Sequence, residues 1–167
     1  IMQKRGWTDS GGNYIPVVRI ETPPDCILSE IELEEFKKEI PSYAYERGLN
    51  LDTCKKWELG FDSNPKDPRL IFPVRDIEGR LVGISGRTII GHSSKYKDYT
   101  GFKKSNFLYG EHLASTKLPL VLVEGQIDLL IVDQYVGDLV TTLCILGCLP
   151  SITQCEKISF LAHTRPI

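Results

Sequence analysis

The sequence predicts an α/β chain in two parts: a mixed α+β amino-terminal part built on an antiparallel hairpin, then the beginning of a parallel sheet with crossing helices. Two observations carry this. Residues 70–74 and 81–90 are apolar runs separated by Asp76-Ile77-Glu78-Gly79, a turn tetrapeptide, which is the signature of a hairpin. Residues 118–123 form a continuous apolar run, followed by Ile127, Leu130, Ile131 and Tyr135 at helical spacing, a second apolar run at 139–146, and a Ser151-capped helix to about 160. Strand, helix, strand, helix is the order of a parallel sheet.

Residues 1–28 contain Gly11-Gly12, Pro16 and Pro23-Pro24 and are expected to be an arm or linker, with one short strand at 15–20. Ser29 is the expected N-cap of an acidic helix over 30–39, stopped by Pro41. A short helix at 42–47 is closed by Gly48, and another runs over 52–59. After the hairpin, residues 91–100 are polar and expected to be a loop, and 115–118 link to the parallel unit. The strand at 118–123 is expected to be buried on both faces. This divides the chain into an arm (1–28), an amino-terminal part with a basic hairpin (29–114) and the first half of a parallel α/β domain (115–167), after which a third strand is expected.

Composition excludes several classes. The 167 residues are 41% hydrophobic and 25% charged, enough apolar material for a core and too much for a disordered chain. A formal charge of −2 excludes a uniformly basic nucleic-acid coat. No apolar run reaches the roughly 18 residues of a membrane helix. The five cysteines (Cys26, Cys54, Cys144, Cys148, Cys155) include no Cys-x-x-Cys pair, which predicts reduced thiols and a cytoplasmic location. His92, His112 and His163 are too far apart for ligand spacing, and no Gly-x-x-x-x-Gly-Lys-Ser/Thr loop is present.

The near-neutral total hides a division. Between residues 21 and 62 there are eleven acidic and five basic residues; between 69 and 104, eight basic and three acidic. The basic block is interleaved with Tyr96, Tyr99 and Phe102, a composition suited to phosphate-bearing ligands and equally to a solvated surface.

The run Leu120-Val-Leu-Val-Glu124-Gly125-Gln-Ile-Asp128 places a carboxylate at the carboxyl end of a strand, where open α/β sheets bind ligands. Asp128 follows in the first turn of the next helix, where the two carboxylates can converge. A hard divalent ion such as Mg²⁺ neutralises such a pair. The same residues also suit a helix N-terminus and a solvated strand end, and the spacing alone leaves both readings open.

Val123-Glu-Gly-Gln-Ile-Asp128 resembles the first motif of the Toprim fold, shared by primases, type IA and type II topoisomerases and some nucleases. The segment Arg69-Leu-Ile-Phe-Pro-Val-Arg-Asp-Ile-Glu-Gly-Arg-Leu-Val-Gly-Ile-Ser-Gly-Arg87, then Lys95-Tyr96, then Phe107-Leu-Tyr-Gly110, resembles the catalytic core of DnaG-type primases and phage primase-helicases. Tyr45-Glu-Arg-Gly-Leu49 and Leu59-Gly-Phe61 resemble the start of that core, so the resemblance covers about residues 40–160. It implies a Rossmann-like Toprim sheet, with Glu124 as general base or metal ligand, Asp128 as a second ligand, and Mg²⁺ or Mn²⁺ as the ion. It also implies that Arg69, Arg87, Lys95, Tyr96 and Lys104 hold template or nucleotide. The implied reaction joins ribonucleoside triphosphates on single-stranded DNA, with a replicative helicase as partner in cis or in trans.

The departures from the family matter too. The family's Asp-x-Asp pair occurs nowhere in this sequence, and no Cys/His cluster precedes the core. The expectation is therefore a piece of a bacterial or phage primase that synthesises little or no primer by itself. Alternatives are another Toprim enzyme (a nuclease or topoisomerase subunit) or a non-catalytic module that binds nucleic acid or nucleotides.

Overall fold

The computed structural model describes residues 6–8, 14–16, 20–36, 39–91, 94–99 and 101–163. A two-stranded antiparallel ribbon, β1 (Gly6–Thr8) and β2 (Tyr14–Pro16), opens the chain. Of the strand expected over 15–20, β2 covers only the first two residues and Ile20 is not in a strand; residues 17–19 lie outside the described residues, as do His92 and 164–167, where a third parallel strand was expected to begin.

The acidic helix is shorter than its composition predicts. Expected over 30–39, α1 spans Ile31–Glu34 only. Glu30, not Ser29, occupies the cap position, and the Ser29 Oγ accepts from the N–H of Ile31 at 3.3 Å. The chain leaves the helix because the carbonyl of Phe36 is taken by the N–H of Phe61 at 2.7 Å, which ties this segment to the sheet. Two further helices follow, α2 (Ser42–Glu46) and α3 (Leu51–Lys56). The Asn50 side chain caps α3 by accepting from the N–H of Thr53.

The hairpin forms as predicted and is the centre of a four-stranded antiparallel sheet. β4 (Arg69–Arg75) pairs with β5 (Leu81–Thr88), β3 (Gly60–Asp62) flanks β4, and β6 (Tyr96–Tyr99) flanks β5. β6 lies in the segment expected to be a loop. Its four residues, Tyr-Lys-Asp-Tyr, are polar because it is an edge strand with half-exposed side chains, and its pairing with β5 makes it a strand. Within β5, Gly83 is required by close approach: a Cβ there would lie 2.2 Å from the Phe102 ring.

The parallel unit is β7 (Leu120–Val123), α4 (Gln126–Val136), β8 (Thr141–Cys144) and α5 (Ile152–His163). β7 and β8 pair in parallel, in register Leu120↔Thr141 to Val123↔Cys144. β7 is not buried on both faces as expected. Leu122 is 46% exposed, because among the described residues the sheet has two strands and nothing lies over this side chain.

One apolar core crosses from the antiparallel to the parallel part. It joins Trp57, Phe72 and Tyr109 to Ile127, Leu129 and Leu130. The Trp57 and Tyr109 rings lie 5.2 Å apart, and Phe72 meets Tyr109 edge-on at 6.2 Å. Tyr109 and Cys144 also exchange backbone hydrogen bonds at 2.9 Å in both directions, fastening β8 to the segment before it. The two sheets are therefore held at one fixed spacing, and a groove opens where their ends meet.

Candidate nucleic-acid and metal groove

The groove has a volume of about 340 Å³. One wall comes from β5 and β6, and strand parity decides which residues it carries. Ser85 pairs with Asp98 and Arg87 with Tyr96, so these four share one face and line the groove. Gly86, Lys97 and Tyr99 fall on the other face, where the Lys97 Nζ sits 4.5 Å from the centre of the Tyr99 ring.

Parity also separates two arginines that the sequence groups together. Leu70 is the partner of Arg87, so Arg69 points away from the groove. It is 3% exposed, donates to Asp67 at 2.7 Å, and donates to the carbonyls of Gly86 and Ser94 at 3.0 and 3.1 Å. Expected among the ligand-binding residues, Arg69 instead braces the sheet edge.

Arg87 is held from two sides. Its Nε donates to the Tyr43 hydroxyl at 2.8 Å and its Nη1 to the Tyr96 hydroxyl at 2.9 Å. Burial works against its charge, but the two hydroxyls outweigh this and raise its pKa above the ordinary value. Burial likewise pushes the Tyr96 hydroxyl up, so it stays a neutral acceptor, with Arg87 pulling the other way. Lys95 is exposed at the entrance to β6, its Nζ 5.9 Å from the Tyr96 ring centre.

Lys104 enters from a 3₁₀ turn, Lys104–Asn106, and its Nζ lies 3.8 Å from Asp98. The start of α5 holds this turn. Ser151 and Gln154 form a reciprocal cap: the Gln154 N–H donates to Ser151 Oγ and the Ser151 N–H donates to Gln154 Oε1. The Gln154 Nε2 also faces the carbonyls of Lys104, Phe107 and Ile145 at 3.1, 2.8 and 2.8 Å. Arg47, at the end of α2, lines the groove as a further cation that charge-block reasoning missed. Its one sequence signal was its place in the Tyr45-Glu-Arg-Gly-Leu49 run.

The facing wall carries the carboxylates. Glu124 follows β7 directly, Asp128 lies in the first turn of α4, and both are exposed to the groove. Gly125 between them has extended backbone (φ −111°), so it serves close approach and not a special turn. A Cβ at that position would lie 2.6 Å from Asp128 Oδ2. The Glu124 carbonyl accepts from the buried Cys144 thiol at 3.1 Å, and burial holds that thiol's pKa up at about 12, so Cys144 is an inert packing group. The floor turns at Leu146, which takes a left-handed backbone (φ 57°), and Gly147 lines the groove beside it.

Among the described residues, neither the Glu124 nor the Asp128 carboxylate has a hydrogen-bond or ion-pair partner, and no three His, Cys, Asp or Glu side chains gather into a metal cage. Two unpaired oxygen donors fit a hard ion such as Mg²⁺, which commonly takes one or two carboxylates and completes its shell with water and substrate phosphates.

Residues 66–115 match the family described as the DNA primase catalytic core, N-terminal domain. A DNA primase of Borreliella burgdorferi is 38% identical over 104 residues, covering 55% of this chain and 20% of the relative. A DNA primase of Deinococcus radiodurans is 39% identical over 155 residues, covering 65% of this chain and 27% of the relative. The chain thus spans about a quarter or less of the length of these relatives. The fold is that of a solved DNA primase domain from Pseudomonas aeruginosa (TM-score 0.64, 21% identity, covering 79% of this chain and 57% of that one) and of a DnaG primase catalytic domain solved bound to single-stranded DNA (TM-score 0.61, 21% identity, covering 77% and 55%). No helix among the described residues is long and apolar enough to cross a membrane. Motif order, sequence relatives and fold agree: residues 66–115 match the N-terminal domain of the DNA primase catalytic core, and the chain is similar in sequence to bacterial DNA primases and in fold to DnaG catalytic cores.

Proposed function

We propose that this chain forms the template- and nucleotide-holding groove of a primase that joins ribonucleoside triphosphates into short RNA primers on single-stranded DNA. The observation that carries the reading is the convergence of Arg47, Arg87, Lys95 and Lys104 with Glu124 and Asp128 in one groove, from segments up to about eighty residues apart. Phosphoryl transfer asks little covalent chemistry of a protein; it asks for positioned phosphates and compensated charge. The arginines and lysines take phosphate oxygens, and Tyr96 offers a ring beside a path for single-stranded bases. The single-stranded DNA bound to one solved relative supports the same ligand class here.

Glu124 and Asp128 would hold Mg²⁺ or Mn²⁺, which when bound neutralises triphosphate charge. In the proposed reaction a ribose hydroxyl oxygen bonds to the α-phosphorus, the bond to pyrophosphate breaks, and the hydroxyl proton passes to a base, a role that Glu124 would fill in place of metal binding. The residues after about 115 belong, in this reading, to a Toprim unit, and the protein works in the cytoplasm alongside a replicative helicase.

The test is single-stranded DNA and nucleotide binding across a salt series for wild type and Arg87→Ala/Lys95→Ala. The variant is expected to bind more weakly with a salt slope shallower by about one to two. Unchanged affinity and slope would overturn the groove assignment.

A further inference from the structure

We infer that Tyr43 is a positioning residue for the groove: its hydroxyl fixes the Arg87 guanidinium so that the remaining donors meet phosphate oxygens. The inference rests on the phosphate-binding role proposed above for Arg87.

A guanidinium has five N–H donors in a rigid fork. Two hydroxyls take two of them here, Tyr43 at Nε and Tyr96 at Nη1. No other protein acceptor lies on Arg87 among the described residues, so Nη2 keeps both of its donors. The guanidinium carbon lies 6.0 Å from the Tyr43 ring centre and 5.5 Å from that of Tyr96, and this places the cation between two aromatic side chains. A flexible arginine on an exposed strand would lose its rotamer freedom on meeting a phosphate. Arg87 is already held by its two hydroxyl partners, and it lines the groove.

Tyr43 supplies the half of this arrangement that the sheet does not. Tyr96 is the cross-strand partner of Arg87, so their contact follows from strand pairing. Tyr43 comes from the first turn of α2, forty-four residues before Arg87, and is packed against the main core. The helix therefore sets where the guanidinium points. Phosphate oxygens are common to a DNA strand and to a nucleoside triphosphate, and separate binding arms distinguish them.

The experiment is a double-mutant cycle with wild type, Tyr43→Phe, Arg87→Ala and the double variant. A labelled oligothymidylate and ATP with Mg²⁺ are the two ligands. Tyr43→Phe keeps the ring and removes the acceptor, and is expected to weaken binding about three- to tenfold in the wild-type background. It should change nothing further once Arg87 is alanine. The arm that loses affinity names the phosphate source. Unchanged binding in Arg87→Ala would overturn the phosphate role itself. A loss in Arg87→Ala with none in Tyr43→Phe would overturn the positioning role alone, as would equal losses from Tyr43→Phe in both backgrounds. A ligand-free check is the NMR signal of Arg87 Nε–H, expected to be exchange-protected in wild type and fast-exchanging in Tyr43→Phe; no difference overturns the proposal.

Discussion

Lys157 on α5 and Glu111, in the turn after Gly110, form an ion pair inside the protein, with Nζ 2.8 and 3.0 Å from the two carboxylate oxygens. Both residues are buried, at 7% and 2% exposure, and the ammonium also lies 4.8 Å from the Phe107 ring centre. The pair joins the α5 helix to the segment that leads from the antiparallel sheet into β7. Removing one partner leaves the other buried and uncompensated. Glu111→Leu alone is expected to destabilise the fold by about 3–5 kcal/mol, whereas Glu111→Leu with Lys157→Met should lie near wild type or above it. Urea unfolding of the three proteins at about pH 8 or above, where the Glu111 carboxyl is ionised, checks this, and similar losses in the single and double variants would contradict it.

The next residue, His112, gives stability a second and opposite pH dependence. Burial holds the His112 ring down at about 4, with the nearby Arg75 charge adding to this, and its Nδ1 is buried without a partner. Burial pushes the Glu111 carboxyl up to about 7, against the pull of Lys157. Below pH 6.5 the unfolded chain protonates its histidine and the folded protein does not, so His112 costs stability as pH falls toward 4. From pH 4.5 to 7 the folded protein keeps the Glu111 proton that the unfolded chain releases, so Glu111 costs stability as pH rises. The two slopes oppose one another between about pH 4.5 and 6.5. Wild type should therefore show a shallow profile there, His112→Leu a stability that falls with rising pH, and Glu111→Leu/Lys157→Met one that climbs. Parallel profiles in all three proteins would refute the assignment.

Gly83 and Phe102 make a steric prediction. An alanine at 83 would place its Cβ 2.2 Å from the Phe102 ring, which also stacks on Phe107 at 6.0 Å. Gly83→Ala is expected to cost about 1–3 kcal/mol by overpacking. Adding Phe102→Leu should return part of this, because the smaller side chain clears the space. A thermal midpoint for the double variant no higher than that of Gly83→Ala would show that the clash is not the cause.

The hairpin and the β7–α4–β8–α5 order were legible because each rests on local signals: apolar runs, a turn tetrapeptide and a helical period. The groove was legible in part. Glu124 and Asp128 stand at the end of a recognisable strand, and Arg87, Lys95, Tyr96 and Lys104 do line one cavity. What a list of charges lacks is strand register. Arg69 and Arg87 belong to one basic block, yet the pairing Leu70↔Arg87 sends them to opposite faces. Arg47 was overlooked for the converse reason, since it stands in an acidic region and joins the cations of the groove only through the packing of α2. β6 was hidden because an edge strand of Tyr, Lys and Asp has no apolar alternation to show. α1 ends early because of a bond to Phe61, twenty-five residues away, which local propensity does not contain.

Gln154 links fold stability to the position of Lys104. Its Oε1 completes the cap of α5 and its Nε2 gathers the carbonyls of Lys104, Phe107 and Ile145, so one side chain serves two purposes that substitutions can separate. Gln154→Glu keeps an acceptor for the Ser151 N–H but turns a carboxylate oxygen toward the carbonyls. Gln154→Leu keeps the volume and removes both functions. If the cap dominated, Glu would be tolerated and Leu would not. The geometry favours the carbonyl cluster, because the Phe107 carbonyl bond is buried and loses its partner in both variants. Both are therefore expected to lose about 1–3 kcal/mol, with Glu at least as damaging as Leu at neutral pH. The turn that carries Lys104 loosens with them, so single-stranded DNA affinity should fall at temperatures where both variants remain folded. Wild-type stability in Gln154→Glu would assign the residue to capping alone, and undiminished DNA binding in a folded Gln154→Leu would separate Lys104 from the groove.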